Sequence, residues 1–349
     1  MPPDARGPNG EATASPADPI DRVGFAARSW RLPAPLPPTS APRAFANDAA
    51  LLPGWFALAR SRQLRGDRMK EVTVGPRKLV LFRDPGGVAR ALDARCPHLG
   101  ANLALGKIID GQVRCALHHW CFDGGGTCTS SPGTMPLSAR RARSYPVVEK
   151  YGLIFVYPGS APAPAFPALP DGDDERRFHA LVLPPARMRC HHHLATGNGL
   201  DALHFDHLHD IEPLAEGRLQ VDEAACAVHL ELEGRYRGRL LRTLTGGHVH
   251  GRFSAIGPSV AWVTLFQPLR WHALFVTRPT GANACESRAV LFLPRGQVLR
   301  TFRSALFLLS LGRQDGQMLS AFESFRPAFT DADTPLAIYA QLLERWPRE

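Results

Sequence analysis

For most of its length the chain carries its apolar positions in short runs. From Pro53-Gly54-Trp55-Phe56 onward, β-prone segments recur as Glu71-Val72-Thr73-Val74, Lys78-Leu79-Val80-Leu81-Phe82, Val88-Ala89-Arg90-Ala91-Leu92 and, later, Gly152-Leu153-Ile154-Phe155-Val156-Tyr157. Gly-Pro, Pro-Gly-Gly and similar breakers separate them, which predicts an all-β domain over residues 46–160. Residues 1–45 are rich in Pro, Ala and Gly, as in Pro33-Ala34-Pro35-Leu36-Pro37-Pro38, and predict a mobile, disordered tail. Between Pro158 and Asp174, Ala-Pro repeats and nearby acids mark a linker, placed at residues 161–175. Residues 176–349 read as a second, mixed domain. It has a strand near Phe178 to Leu183, a helical region around 198–209, several strands between about 225 and 294, and helices at the end. The fold class is therefore α+β. The run Ala305-Leu306-Phe307-Leu308-Leu309-Ser310-Leu311 reads as part of a buried helix. It is far shorter than the roughly 18 apolar residues that a membrane span needs.

Composition narrows the class. At 349 residues, with 44% hydrophobic and 21% charged residues, the chain suits a soluble globular protein of two ordinary domains. The formal charge of +9 raises nucleic acid or an anionic membrane as partners, but no concentrated basic run supports either. The N-terminus has no apolar core after its basic residues, so neither a leader nor a membrane span is expected.

Two strings carry chemistry. Cys96-Pro97-His98 and Cys115-Ala116-Leu117-His118 read C-x-H … C-x-x-H. A [2Fe–2S] cluster with two thiolates on one iron and two imidazoles on the other takes one Cys and one His from each of two loops, the Rieske arrangement. Tetrahedral Cys2His2 zinc is the alternative, although zinc sites normally offer Cys pairs and His pairs rather than alternating ligands. Between the strings, Gly106-Lys107-Ile108-Ile109 and Gln112-Val113-Arg114-Cys115 straddle Asp110-Gly111, a preferred hairpin turn, so the ligand loops sit at strand ends. Gly124-Gly125-Gly126 reads as a turn of the cluster loop, and no G-x-G-x-x-G follows a strand, so the chain does not bind a dinucleotide itself. The remaining five of the seven cysteines, Cys121, Cys128, Cys190, Cys226 and Cys285, show no paired framework, which suits a reducing cytoplasm.

A second site is suggested by Asn198-Gly199-Leu200-Asp201-Ala202-Leu203-His204-Phe205-Asp206-His207-Leu208-His209. Two histidines and one carboxylate are the usual holders of a non-haem iron with open positions. Asn198, Asp201 and His204 fall at intervals of three and share a face of an ideal helix. His204 and His209 can bind one ion only if the helix widens into a π-turn or ends there, and His207 is the geometric alternative. Near the C-terminus, Asp315 opens a helical segment with Met318, Leu319, Phe322 and Phe325 at helical spacing. On chemistry alone it reads as an N-cap.

In wording and spacing the chain resembles the Rieske non-haem iron oxygenases, in their oxygenase (alpha) component. The cluster stretch is similar to CPHxGAxLxxG…CPxHxWxFDGxGxC, with Ala116 where Pro is usual and His119 where Gly, Ala or Asp often follows. The second site matches N-x-x-D-x-x-H-x-x-x-x-H. The resemblance implies a helix-grip catalytic domain, in which an antiparallel sheet and helices follow the Rieske domain. It selects His204 and His209 as iron ligands with Asp315 as the third and Glu323 as the runner-up. It makes Asp201 the bridge that carries electrons from a Rieske histidine, His118, to His204, usually across the subunit boundary of a homotrimer, and it puts Asn198 beside the ligands. The preceding Thr196-Gly197 departs from the acidic residue that many relatives have there, while Arg326-Pro327-Ala328-Phe329-Thr330-Asp331 fits the tail.

The reaction implied is reductive O2 activation, with electrons from NAD(P)H through a separate flavin reductase and a ferredoxin. Arg60, Arg62, Arg65, Arg68 and Lys70, and then Arg140, Arg141 and Arg143, suggest a face that attracts an acidic electron donor. The HLGAN loop, the His204-Phe205 pair and the Asp315-to-Asp331 tail are most similar to the 3-ketosteroid 9α-hydroxylase and Neverland-type cholesterol 7-desaturase group. That similarity implies hydroxylation or desaturation of an apolar polycyclic molecule. O-demethylation and aromatic dihydroxylation use the same metals, and an electron carrier would need the cluster alone. Val260 to Phe266 and Ala273 to Val276 supply strand faces for an apolar pocket, or equally for core packing.

Overall fold

The computed structural model of the chain describes residues 51–132, 140–160, 162–238, 242–243, 246–296, 298–322, 325 and 327–347, together with Asp21–Arg22 and Phe45. Three antiparallel sheets form the first domain. One is ordered β10-β5-β4-β3 (Ser144–Tyr145, Ala89–Asp93, Arg77–Arg83, Lys70–Val74), and a second is ordered β11-β12-β2 (Val147–Lys150, Leu153–Val156, Phe56–Arg60). The third, β6-β7-β8-β9 (Lys107–Ile109, Gln112–Arg114, Cys121–Phe122, Cys128–Ser130), is a meander whose first turn is Asp110-Gly111, with φ of 49° and 70°. Strand alternation gives β4 two cores. Leu79 and Leu81 pack with Phe56 and Ile154, whereas Val80 and Phe82 pack with Val113, Trp120 and Phe122 and with the thiols Cys96 and Cys115.

The second domain is built on a ten-stranded antiparallel sheet whose main path is β1-β16-β17-β18-β19-β20-β21-β13. Its strands are Asp21–Arg22, Arg218–Asp222, Ala227–Tyr236, His248–Ile256, Val260–Gln267, Trp271–Gly281, Ala284–Pro294 and Phe178–Val182. Two short strands complete it: β14 (Ala186–Met188) pairs with β21, and β15 (Ile211–Pro213) pairs with β17. Among the described residues, the helices α1 (His192–Gly197), α2 (Ala202–His207), α3 (Val298–Ser320) and α4 (Thr334–Arg345) accompany the sheet. None of the described helices is long and apolar enough to cross a membrane.

Both faces of this sheet are used, which is why β19 and β20 are nearly continuous apolar runs. On one face Val260, Trp262, Leu274 and Phe292 pack against Trp55, Ala57, Phe155 and Tyr157 of the first domain in one buried cluster. Each such side chain contributes about 1.5–3 kcal/mol when fully buried, so the shared core fixes the two domains to each other. The opposite face, with Ala261, Val263 and Leu265, lines a cavity.

Toward β17 and β18 the first face turns ionic and fastens the linker. Arg252 donates to Glu231 at 2.7 Å and to Asp171 at 2.5 Å, and Arg270 donates to Asp173 at 2.6 Å. His272, fully buried, lies between Asp173 Oδ2 at 2.8 Å and Thr264 Oγ1 at 3.0 Å. This fits a neutral ring that donates from Nε2 and accepts at Nδ1. The expected linker is therefore docked against the sheet.

Several other expectations are corrected. The tail expected over residues 1–45 lies outside the described residues except at Asp21 and Arg22, which pair with Leu219 and Arg218, and at Phe45, which is buried. The 198–209 region is broken at Asp201, so Asn198, Asp201 and His204 do not share one helix face. Asp315 does not open a helix; it lies well inside α3, which excludes the N-cap reading. The run at 305–311 is not buried as a unit. Leu308 and Leu311 line the cavity, whereas Leu306 is 52% exposed.

Acid should loosen the linker network. Burial raises the Asp173 and Glu231 carboxyls, but their hydrogen bonds to arginine and histidine outweigh it and hold both below the usual carboxylate range. Burial lowers His272. In each case the unfolded chain binds more protons, so stability rises with pH. It falls as pH drops below about 6.5, through His272, and more steeply below about 4, through the carboxylates. Thermal melts followed by circular dichroism should show this, with D173N giving a flatter acid limb. An unchanged slope in D173N would contradict the assignment.

Candidate metal centres

Cys96 and Cys115 sit on two loops with the same local geometry. In the first, Gly100 N–H donates to the Cys96 carbonyl at 2.9 Å, and in the second, His119 N–H donates to the Cys115 carbonyl at 3.1 Å. Gly100 and His119 are thus equivalent, and both have positive φ, 82° and 58°. The left-handed conformation is why a glycine suits this place, a constraint on His119 that spacing alone did not reveal. Gly126 anchors the supporting turn: with φ of 80°, an added Cβ would lie 2.0 Å from the Ala142 carbonyl oxygen.

The two thiols are buried, each 2% exposed, and they touch. Burial together with the nearby Cys115 pushes the Cys96 thiol up to about 11, against a hydrogen bond from the His98 backbone. The imidazoles of His98 and His118 lie 4.7 Å apart on the exposed side. Four ligands on one zinc would bring all their donor atoms together. Among the described residues only one group of three or more such atoms lies within 4.8 Å, and it is elsewhere. Inner sulfurs and outer nitrogens instead suit a two-iron cluster with a thiolate-bound and an imidazole-bound iron.

The other group is His204, His209 and Asp315. Asp201 caps α2, its Oδ1 accepting from Leu203 N–H at 3.1 Å and His204 N–H at 3.3 Å, while its backbone carbonyl takes the His204 Nδ1–H. The helix ends at His207, which is exposed, and the chain then turns to bring His209 back beside His204 with ring centroids 5.0 Å apart. From α3, Gln314 Oε1 lies 3.0 Å from His209 Nδ1, and Asp315 Oδ1 lies 2.9 Å from His209 Nε2 and 3.7 Å from His204 Nε2. Both Nδ1–H groups are thus engaged, which leaves two Nε2 lone pairs facing one carboxylate. Burial lowers His204, against the pull of Asp315 and Asp201, so its ring is neutral. Such a donor set repels itself unless a cation is present, and it fits a facial triad.

All three residues line a cavity of about 490 Å3 walled mainly by apolar side chains, with Asn198 beside them and the rings of Phe205 and Phe253 in tilted contact, centroids 4.6 Å apart. Gly199 permits that contact, because a Cβ there would lie 2.3 Å from the Phe253 ring. Glu323, the runner-up ligand, lies outside the described residues. Within the chain, Asp201 makes no hydrogen bond to His118 among the described residues. Gln314 was not singled out from sequence; its only signal is an amide next to Asp315 on a helix.

Two loops with buried thiols and exposed imidazoles, followed by a histidine–carboxylate cavity, have the donor sets of an iron–sulfur cluster and of a second, mononuclear metal. Comparison with known proteins agrees. Residues 54–150 match the model of the Rieske [2Fe–2S] domain. The chain is 29% identical over 197 residues to cholesterol 7-desaturase of Bombyx mori, covering 56% of this chain and 41% of that protein. It is 32% identical over 168 residues to the 3-chlorobenzoate-3,4-dioxygenase oxygenase subunit of Comamonas testosteroni, covering 44% and 37%. The crystal structure of dicamba monooxygenase bound to 3,6-dichlorosalicylic acid superposes with a TM-score of 0.65 at 22% identity, covering 84% of this chain and 97% of that one. The chain spans less than half the length of these curated relatives. It contains a Rieske [2Fe–2S] domain, carries the Rieske oxygenase fold and is a homologue of the Rieske non-haem iron oxygenases.

Two substitutions test the second centre. D315A should lose the mononuclear iron and leave the cluster's visible spectrum intact. Q314L should weaken iron binding about 10–100-fold by freeing the His209 ring, measured by metal titration of the apo site. Full iron retention in D315A would exclude Asp315 as a ligand.

Proposed function

We propose that the chain is the oxygenase component of a Rieske system that hydroxylates or desaturates a neutral, apolar polycyclic molecule. The observation that carries the reading is the placement of His204, His209 and Asp315 in the wall of the apolar cavity. There, bound iron supplies O2 activation, and the cluster held by Cys96, His98, Cys115 and His118 supplies single electrons. The protein's part is to orient. Asp201 and Gln314 hold the two ring nitrogens in place, the apolar walls exclude water and position the substrate, and Asn198 borders the ligands.

Charge favours a neutral substrate. A buried carboxylate needs a cation or several donors. Among the described residues lining the cavity, histidines apart, the one cationic side chain is Arg313, which is exposed. An apolar polycyclic molecule satisfies such walls, and a benzoate does not.

The electrons come from NAD(P)H through a separate flavin reductase and a ferredoxin, and the exposed Arg62, Arg65 and Arg68 suit an acidic donor. Asp201 passes them from His118 to His204. Since Asp201 makes no bond to His118 within the chain, the bridge runs between subunits of a homotrimer. All seven cysteines are free, which suits the cytoplasm. An electron carrier without oxygenase activity would have no use for the second centre.

The test is a reconstituted reaction under 18O2 with a panel of sterols, other polycyclic molecules and benzoates, read by mass spectrometry. The expected products are polycyclic molecules that gain one oxygen atom or lose two hydrogens. Turnover confined to benzoates would overturn the substrate assignment. D201N keeps a good helix cap and should retain both metals while turnover falls about 10–100-fold.

A further inference from the structure

The two imidazoles of the cluster site have different surroundings. His98 lies 4.5 Å from the Trp120 ring and within 9° of parallel to it, and the Arg140 guanidinium carbon lies 4.3 Å from the same indole. His118 is exposed, and its ring contact is His98. Arg140 is firmly held: its carbonyl accepts the Cys128 N–H at 3.0 Å, and its Nη1 donates to Ser131 Oγ. No carboxylate among the described residues pairs with it, so its charge is not neutralised locally. Trp120 is only 8% exposed, so the guanidinium sits at the edge of the cluster core.

We infer that Arg140 raises the reduction potential of the Rieske cluster, acting through Trp120 and His98 as a positioning residue for electron uptake. One electron from the external donor reduces the cluster and adds one negative charge to the site. A fixed cation nearby stabilises that reduced form more than the oxidised form. The indole that contacts both His98 and Arg140 excludes water, and partial burial keeps salt from screening the interaction fully. The same contacts hold the His98 ring in place, whereas His118, equally exposed, has His98 as its ring contact. The cluster is thereby easier to reduce while its exit side stays open. The inference rests on His98 being a cluster ligand.

The experiment is voltammetry of the cluster-loaded full chain and its R140M, R140Q and R140K variants, with electron paramagnetic resonance to verify the cluster in each. In R140M and R140Q the midpoint should move negative. At a fixed poise the ratio of reduced to oxidised cluster should fall at least threefold, about 28 mV for a one-electron couple. R140K, which keeps the charge, should stay near wild type. R140M and R140Q read the same charge loss at different shapes, so either one suffices if the other fails to hold its cluster. Unchanged potentials in both neutral variants would overturn the inference. So would an R140K shift as large as that of R140M, since packing rather than charge would then be responsible. A wild-type protein without the Rieske resonance would instead overturn the ligand assignment, and the inference with it.

Discussion

Two imidazole Nε2 atoms and one carboxylate oxygen meet in the wall of an apolar cavity, a donor set that a bound metal cation would satisfy. Everything around this point serves to keep it so. The Asp201 carbonyl and Gln314 Oε1 hold the two Nδ1–H groups, so neither ring can turn its lone pair away. Asp315 reaches the same point from α3, on the far side of the sequence. An open-sided site of this kind leaves coordination positions for small ligands and substrate, which a closed structural metal site does not.

The large sheet makes this geometry possible because both of its faces are occupied. One face shares a core with the first domain and fastens the linker through Arg252, Arg270 and His272. The other is left to line the cavity. The cluster domain is thus rigidly attached to the sheet that frames the second centre, yet His118 does not reach Asp201 within the chain. The proposed electron path therefore takes a neighbouring copy.

The cluster site was nearly all legible in the sequence, because its ligands lie on two short loops and the intervening Asp110-Gly111 turn is local. What stayed hidden there was conformational: His119 takes the left-handed place that Gly100 takes in the other loop. The second site was legible in its histidines, and in Asp315 only through the family resemblance. The helix that would have aligned Asn198 with His204 is interrupted where the Asp201 carboxylate turns to cap the next turn. On residue chemistry alone Asp315 reads as a helix start because the helical spacing of Met318, Leu319, Phe322 and Phe325 follows it, yet the segment before it belongs to the same helix, its leucines divided between cavity and solvent. The pairing of Asp21–Arg22 with the sheet edge and the docking of Asp171 and Asp173 were not legible. Each depends on partners remote in sequence, and a Pro-rich or acidic stretch carries no sign of them.

On the proposed reading, one chain holds a two-iron cluster and a separate mononuclear iron. Iron and acid-labile sulfide analysis of the purified, reconstituted protein tests it most directly. About three irons and about two sulfides per chain are expected. About two irons with two sulfides would contradict it, leaving His204, His209 and Asp315 without a metal and the protein as an electron carrier alone.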